Sequence, residues 1–447
     1  MYNKSQEVII LELKEILCDT PCACGKIHNF DKKVITGEGA VNKLKDVLNG
    51  IDAHHAFVVS DKNTFKVAGK QVYDILADMN IGYTECYFDK DEIEPNEESV
   101  GYAMMYYSPK CDVIIGIGSG VINDICKIVA NTTGKTYIIV ATAPSMDGYA
   151  SESSSMTRNG LKISLPSKCP DVIIGDTDIL CQAPLKMMKS GLGDMLAKYV
   201  SIAEWRIANL ITGEYYCENV AELIRTALKK CTDNATGLLK RDKAAVEAVF
   251  EGLVAGGIAM KIAGVSRPAS GMEHYISHVW DMRGAEFHIP VEFHGIQCAV
   301  GTLMAAKLYE KLLDTTPDIN KAISYAENFD FNAWSDKLRT FLGKSAENMI
   351  ALEEKEKKYD IEKHKARLDI IINNIDKIKQ IIREEIPSTE QLEQLYRSIE
   401  LPETPEAIGI DTSIVPITLE ATKDIRDKYV LSRLVWDLGL TNELFYN

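Results

Sequence analysis

One carboxylate and three imidazoles stand where a divalent metal could collect them: Asp194 in SGLGDMLAKY, His274 and His278 in SGMEHYISHVW, and His294 in EFHGIQCAVG. The chain has only eight histidines, and these three sit close together on segments that otherwise read as apolar helices. Imidazole is the commonest transition-metal ligand, and an aspartate with two histidines makes a catalytic set with coordination positions left open for substrate. His274 and His278 are four residues apart, so both face one side of a helix. Asp194 follows Gly191 and Gly193 and is expected at a helix start. His294 precedes Gly295 and an apolar helix. Each alone fits a core or capping role; the four together favour a metalloenzyme.

A second chemical feature lies upstream. In DVIIGIGSGVINDICKIVA a strand ends in glycine, Gly116, Gly118 and Gly120 form a turn with Ser119, and a helix begins at once. Glycines admit a phosphate close to the backbone, and a helix N-terminus supplies N–H groups and a favourable dipole. The spacing is not the G-x-G-x-x-G fingerprint and follows the fourth strand, so a plain tight turn is the competing reading. Asp61, ending FVVSD, is placed to hold an adenine-ribose hydroxyl, which would favour NAD over NADP; it also reads as a helix N-cap. The segment ATAPSMDGYASESSSMTRNG (141–160) reads as a long polar loop after a buried strand, where ligands bind in open α/β sheets. Thr142 and Ser145 could touch a cofactor there, and Asp147 has either a functional or a turn role.

These residues need a frame. Segments 32–36, 56–60, 83–88, 112–118, 137–142 and 172–176 are β-rich runs alternating with helical segments, the pattern of a parallel sheet covered on both faces. Beyond about residue 180 the apolar spacing becomes helical throughout, over 184–208, 213–238, 243–263 and 292–312. The expected organisation is therefore an α/β, Rossmann-like dinucleotide-binding domain over 1–180 and an all-α metal- and substrate-binding domain over 181–447. The stretch 351–397 is rich in mixed charge and reads as one long solvated helix with an apolar stripe.

The bulk properties limit the partners. A length of 447 residues predicts two domains, and a net charge of −15 argues against nucleic-acid and anionic-membrane surfaces. The N-terminus is too charged for a signal peptide and no run suits a membrane span, so a cytoplasmic protein is expected. Cys126, Cys217 and Cys298 lie singly in apolar segments and read as reduced, buried small hydrophobes. Cys18, Cys22, Cys24 and His28 form a cluster whose spacing matches no standard zinc site, and it reads as a packed thiol-rich turn ahead of a metal knuckle.

The order GSGVIND, TAPSMDGYAS, GLGDMLAKY, GMEHYISH and FHG resembles the iron-containing alcohol dehydrogenase and dehydroquinate synthase superfamily. Within it, SRPASGMEHYISHVWDM and TAPSMDGYASESS look most like the sn-glycerol-1-phosphate dehydrogenases of bacterial type, over roughly residues 25–310. The resemblance implies a dehydroquinate synthase-like fold and reversible reduction of dihydroxyacetone phosphate to sn-glycerol 1-phosphate with NAD or NADP, an activity of phospholipid metabolism. It implies Asp194, His274 and His294 as ligands of one divalent metal, with zinc, nickel and iron all in use in the superfamily. It implies Asp147, Asp194 and His278 as the substrate-contacting, catalytic residues. It implies Asp61, Gly118, Ser119, Gly120, Val121, Ile122, Thr142, Ala143, Pro144, Ser145 and Ser151 around the cofactor, and a homodimer. One departure is GSGVI, where many relatives have GGG and then a basic or polar residue, and this leaves the choice between NAD and NADP open.

The metal would act as a Lewis acid on a ketone while nicotinamide delivers hydride, with His278 orienting a hydroxyl or relaying a proton and Asp147 accepting a substrate hydrogen bond. Arg158, Lys162 and Arg267 flank these segments and are candidates for a substrate phosphate. A glycerol or other polyol dehydrogenase is the nearest alternative. A lyase of the same fold would have a site richer in Lys and Arg. A non-catalytic nucleotide-binding regulator is disfavoured by the intact Asp and His set.

Overall fold

The computed structural model describes residues 21–90, 92–159 and 161–447, so Cys18 of the cysteine cluster lies outside the described residues. Among the described residues eight strands form: β1 (Lys33–Gly37), β2 (His55–Asp61), β3 (Gly82–Phe88), β4 (Val113–Gly118), β5 (Thr136–Ala141), β6 (Ser153–Arg158), β7 (Leu161–Pro166) and β8 (Val172–Asp176). Six of them build a parallel sheet in the order β1-β8-β5-β4-β2-β3. The runs VIIGIG and VIIGD and five of the six residues of TYIIVA are buried, as strands covered on both faces must be. On one face Val58, Ile115, Val140 and Ile174 pack with Leu44, Leu48, Val72 and Leu76 of the helices Leu44–Gly50 and Lys70–Asp78.

The strand order decides where a ligand can bind. From β2 the chain adds β3 on one side and then crosses back to place β4 on the other. That reversal is a topological switch point, and the crevice beyond the carboxyl ends of such strands is where open α/β sheets hold ligands. Ser60 pairs with Ile117, so Asp61 and Gly118 end neighbouring strands, and Gly118 pairs with Ala141. The glycine turn thus occupies the switch point even though it follows the fourth strand, because spatial order and chain order differ.

The expected polar loop over 141–160 is only partly a loop. Its second half is β6, which pairs antiparallel with β7 in a separate two-stranded sheet. The run SSSMT alternates buried Ser154 and Met156 with more exposed neighbours, and the hydroxyl composition hid that two-residue period.

The chain forms two compact units, and neither is a single stretch. One holds the residues up to Met195 together with Asn219–Val265; the other holds Leu196–Glu218 and Ser266–Asn447. This differs from a single cut near residue 180. The helix Lys243–Ala263 stays with the sheet because Phe250 packs on Gly175 of β8 and Glu251 accepts the Thr36 hydroxyl of β1 at 3.0 Å.

The second unit is all helical among the described residues. Its core joins Val200, Ala203 and Ile207 to Met272, Ile276, Val300, Leu308, Leu368, Ile378 and Leu434. The stretch 351–397 is not one long helix but the end of Ser345–Glu356 followed by Ile361–Asn373, Ile375–Glu385 and Thr389–Ser398. Lys357 turns left-handed with φ 50°, Asp360 and Ser388 cap new helices, and Pro387 ends the third. The expected apolar stripe is present, since Leu368, Ile371, Ile378, Ile382, Leu392 and Tyr396 are buried while most of the charged positions stay exposed. No helix among the described residues is long and apolar enough to cross a membrane.

Candidate active site

The sheet unit brings most of the expected cofactor residues together. Asp61, the turn Gly118–Ile122 and the segment Thr142–Ser145 leave the carboxyl ends of the adjacent strands β2, β4 and β5. Thr142 N–H donates to Gly118 O at 3.1 Å, which ties the second segment to the glycine turn. The helix Gly120–Thr133 starts behind Ser119 with no side-chain cap, so its first N–H groups keep their dipole end for an anion. Asp61 does serve as an N-cap: its Oδ1 accepts from Asn63 N–H at 2.7 Å and Thr64 N–H at 2.9 Å, within a capping box. Ser151 Oγ accepts from the Lys127 ammonium at 2.9 Å and has the Gly148 and Ser153 carbonyls within reach of its single O–H.

Lys127 is a residue that sequence spacing did not single out. It is fully buried on the helix Gly120–Thr133 and donates to Gly148 O, Ser151 Oγ and Ser153 O, lashing the segment after Asp147 to the helix behind the glycine turn. Burial pushes its pKa down, with the Asp124 carboxylate working the other way.

Asp194 is fully buried and sits near the end of the helix Leu185–Leu196, not at a helix start as its preceding glycines suggested. Gly191 and Gly193 are interior helix positions here. Gly191 is small because the Pro144 carbonyl lies against it, and the helix face of Ser190, Gly191 and Asp194 grips the loop above. Ser190 Oγ donates to Ser145 O at 3.1 Å, and Asp194 Oδ2 accepts Asp147 N–H at 3.0 Å. Asp147 and Asp194 are therefore neighbours, brought together across 47 residues.

The helical unit supplies the imidazoles. His274 and His278 share the helix Met272–Phe287, as expected, and His294 opens the helix His294–Leu313. The His274 and His294 rings stand 5.1 Å apart, and the His278 and His294 rings 5.9 Å apart, so the three form one cluster. The helices approach closely because Gly301 leaves room for the Glu273 carbonyl, 2.8 Å from where a Cβ would be.

Four residues around this cluster were not marked as functional by the sequence. Glu273 Oε1 holds His274 Nδ1 at 2.8 Å, and Ser277 Oγ meets His294 Nδ1 at 3.0 Å. Each Nδ1 thus has a carboxylate or hydroxyl partner, a contact of the kind that fixes the tautomer and orientation of an imidazole. Glu204 accepts Met272 N–H at 2.9 Å and Leu431 N–H at 2.9 Å, and burial beside Glu273 pushes its carboxyl up to about 8. Cys298 is buried as expected, but not among apolar groups alone: its Sγ is 3.6 Å from His294 Nε2. Burial opposes ionising this thiol, yet His274 and His294 beside it hold it below its ordinary range. Glu273 adjoins His274 in sequence, but adjacent positions on a helix face different directions, so spacing alone gave no reason to pair them.

Arg267 is withdrawn as a phosphate candidate. It is buried, ion-paired to Glu214 at 2.5 Å, and donates to the Tyr429 carbonyl at 2.8 Å. In the β6–β7 hairpin Arg158 stands opposite Leu161 and Lys162 opposite Thr157.

The parallel sheet with its switch-point turn, followed by a helical unit bearing histidines, defines a class of metal-dependent dehydrogenases. The family model described as iron-containing alcohol dehydrogenase matches residues 35–184. A glycerol dehydrogenase from Schizosaccharomyces pombe superposes with a TM-score of 0.61 at 17% identity, covering 94% of this chain and 91% of its own, which establishes the shared fold. Curated relatives named glycerol-1-phosphate dehydrogenase, NAD(P)+, narrow the class. The one from Halalkalibacterium halodurans is 28% identical, over 81% of this chain and 84% of its own. The one from Hyperthermus butylicus is 34% identical, over 63% of this chain and 80% of its own. The chain belongs to the glycerol-1-phosphate dehydrogenase family.

Proposed function

We propose that this chain catalyses the reversible, NAD(P)H-dependent reduction of dihydroxyacetone phosphate to sn-glycerol 1-phosphate at one divalent metal. The observation that carries the metal is the pair of imidazoles whose Nδ1 atoms are already engaged by Glu273 and Ser277. In this reading Asp194 joins His274 and His294 as the third ligand. One carboxylate and two neutral imidazoles suit zinc, nickel or iron(II). When bound, the ion would supply Lewis acidity toward the ketone and the nicotinamide would supply the hydride.

The chain's own residues do the rest. Asp61, Gly118, Ser119, Gly120, Val121, Ile122, Thr142, Ala143, Pro144, Ser145 and Ser151 are the proposed cofactor set. The uncapped helix start behind Ser119 receives the pyrophosphate, and Asp61 keeps an oxygen toward the ribose while capping its own helix. Asp147, held by Asp194 through its N–H, accepts a hydrogen bond from a substrate hydroxyl. His278 delivers the proton that the new hydroxyl requires, one turn from the ligand His274. The same reading takes the enzyme as a cytoplasmic homodimer with a small phosphorylated triose as substrate.

The test is NAD(P)H oxidation by metal-loaded enzyme with dihydroxyacetone phosphate against dihydroxyacetone, and reverse oxidation of sn-glycerol 1-phosphate against its enantiomer. Preference for the unphosphorylated ketone would assign the chain to polyol oxidation instead. His274→Ala is expected to lose metal and activity, whereas His278→Ala keeps metal and loses rate. A metal content in His274→Ala equal to that of wild type would refute the ligand assignment.

A further inference from the structure

A second group of metal-ligating atoms, made of other residues than the dehydrogenase set, lies in the N-terminal part of the sheet unit. The thiols of Cys22 and Cys24 and the imidazole of His28 offer ligand atoms all within 4.8 Å of one another. Cys24 Sγ and His28 Nε2 are 3.3 Å apart. Zinc–sulfur bonds of about 2.3 Å and zinc–nitrogen bonds of about 2.0–2.1 Å at tetrahedral angles place ligand atoms roughly 3.5–3.8 Å apart, so a small adjustment admits the ion.

The backbone is shaped for this. Gly25 N–H donates to Cys22 O at 2.8 Å and Cys22 N–H to Lys26 O at 2.8 Å, closing a tight knuckle around both cysteines. Gly25 turns it at φ +83°, a conformation that other residues rarely adopt. His28 is fully buried. Lys26 Nζ donates to Ala263 O at 2.6 Å, anchoring the knuckle to the end of the helix Lys243–Ala263. Asn219 Nδ2 lies 3.4 Å from Cys22 Sγ, an outer N–H donor of the kind that stabilises a bound thiolate.

Three ligands need a fourth to close a structural zinc site. Cys217 is buried and comes two residues before Asn219, so about 7 Å of chain links it to a residue that touches Cys22. We propose that Cys22, Cys24, His28 and Cys217 bind a structural zinc ion, distinct from the catalytic metal. Binding deprotonates the three thiols, releases those protons to solvent and leaves a neutral imidazole as fourth ligand. The sequence spacing obscured this site because two ligands are one residue apart and the last is 189 positions beyond His28.

The test uses full-length enzyme loaded with zinc and freed of excess, with metal per chain measured by mass spectrometry. Wild type is expected to hold two equivalents, Cys24→Ser one, Cys217→Ser one, and His274→Ala one. Cys24→Ser should keep kcat/KM within about twofold when zinc is present, since neither thiol of the knuckle touches substrate. Alkylation mapping of the wild type needs no variant to fold: Cys22, Cys24 and Cys217 should be protected with zinc and labelled after chelation. A wild type whose single equivalent disappears in His274→Ala, or equal labelling of the three thiols with and without zinc, overturns the site. Two equivalents retained by Cys217→Ser overturn the fourth-ligand assignment.

Discussion

Replacing Gly191 by alanine tests the grip between the aspartate helix and the loop above it. A Cβ at this position would lie 2.0 Å from the Pro144 carbonyl oxygen, 2.8 Å from its carbon and 2.9 Å from Leu253 Cδ1. Ordinary contact begins at 3.4 Å, so helix and loop must part by more than a rotamer change can supply. Overpacking a closed interior costs about 1–3 kcal/mol, and the upper end applies because the obstacle is backbone. About 3 kcal/mol lowers the Tm of a unit this size by roughly 6–12 °C. The loop that moves carries Thr142–Ser145 and Asp147, and its displacement stretches the Asp147–Asp194 and Ser145–Ser190 hydrogen bonds. A shift of about 1 Å at reacting groups costs on the order of 100-fold in rate. The assay is kcat/KM with dihydroxyacetone phosphate, alongside thermal unfolding. Adding Leu253→Ala should not restore either quantity, because the Pro144 carbonyl remains. Gly191→Ala with a Tm within about 2 °C of wild type and an unchanged kcat/KM would refute the close-approach argument.

Three further outcomes follow from the same contacts. Asp61→Asn keeps an acceptor for the cap and is expected to raise NADPH use relative to NADH roughly tenfold by removing one charge repulsion, while Asp61→Ala also costs about 1 kcal/mol of stability; an unchanged cofactor ratio in both would leave Asp61 a cap only. Glu273→Gln removes the carboxylate behind His274 and should weaken metal binding about 10–100-fold in competition with a chelator, and unaltered affinity would sink the tautomer assignment. Burial pushes the Asp124 carboxyl up to about 6 from 3.8, with Lys127 and the Ser155 N–H pulling it back. The folded state therefore holds this proton more tightly than the unfolded chain, and the associated stability is lost as pH rises from about 4 through about 6. Asp124→Asn should gain on wild type by up to about 3 kcal/mol across that window, read from urea midpoints at the two ends, and a constant difference would contradict the shift.

The local elements were legible in the residues themselves. Short, β-branched runs such as VIIGIG and VIIGD read as strands buried on both faces, and four-residue spacing alone puts His274 and His278 on one side of a helix. Both patterns depend on local backbone geometry, which sets side-chain direction residue by residue, and so they survive in the linear chain. What failed locally failed for local reasons too: SSSMT hid a strand behind hydroxyls, and mixed charge over 351–397 masked a left-handed turn, two caps and a proline that divide it.

Tertiary structure decided what those elements do. Strand order is a non-local property, and only β2 lying between β3 and β4 places an unremarkable glycine loop on the fourth strand at a switch point. The helix under Asp194 packs on the Pro144 carbonyl, which is why its glycines mark close approach and not a helix start. Glu273 meets His274 Nδ1 although neighbouring helix positions face different ways, and Arg267 is taken by Glu214. The cysteine knuckle follows the same rule: its two thiols and imidazole were visible in the chain, but the folded turn that gathers them, and the Asn219 contact that points to a distant fourth ligand, come from packing across nearly 200 residues.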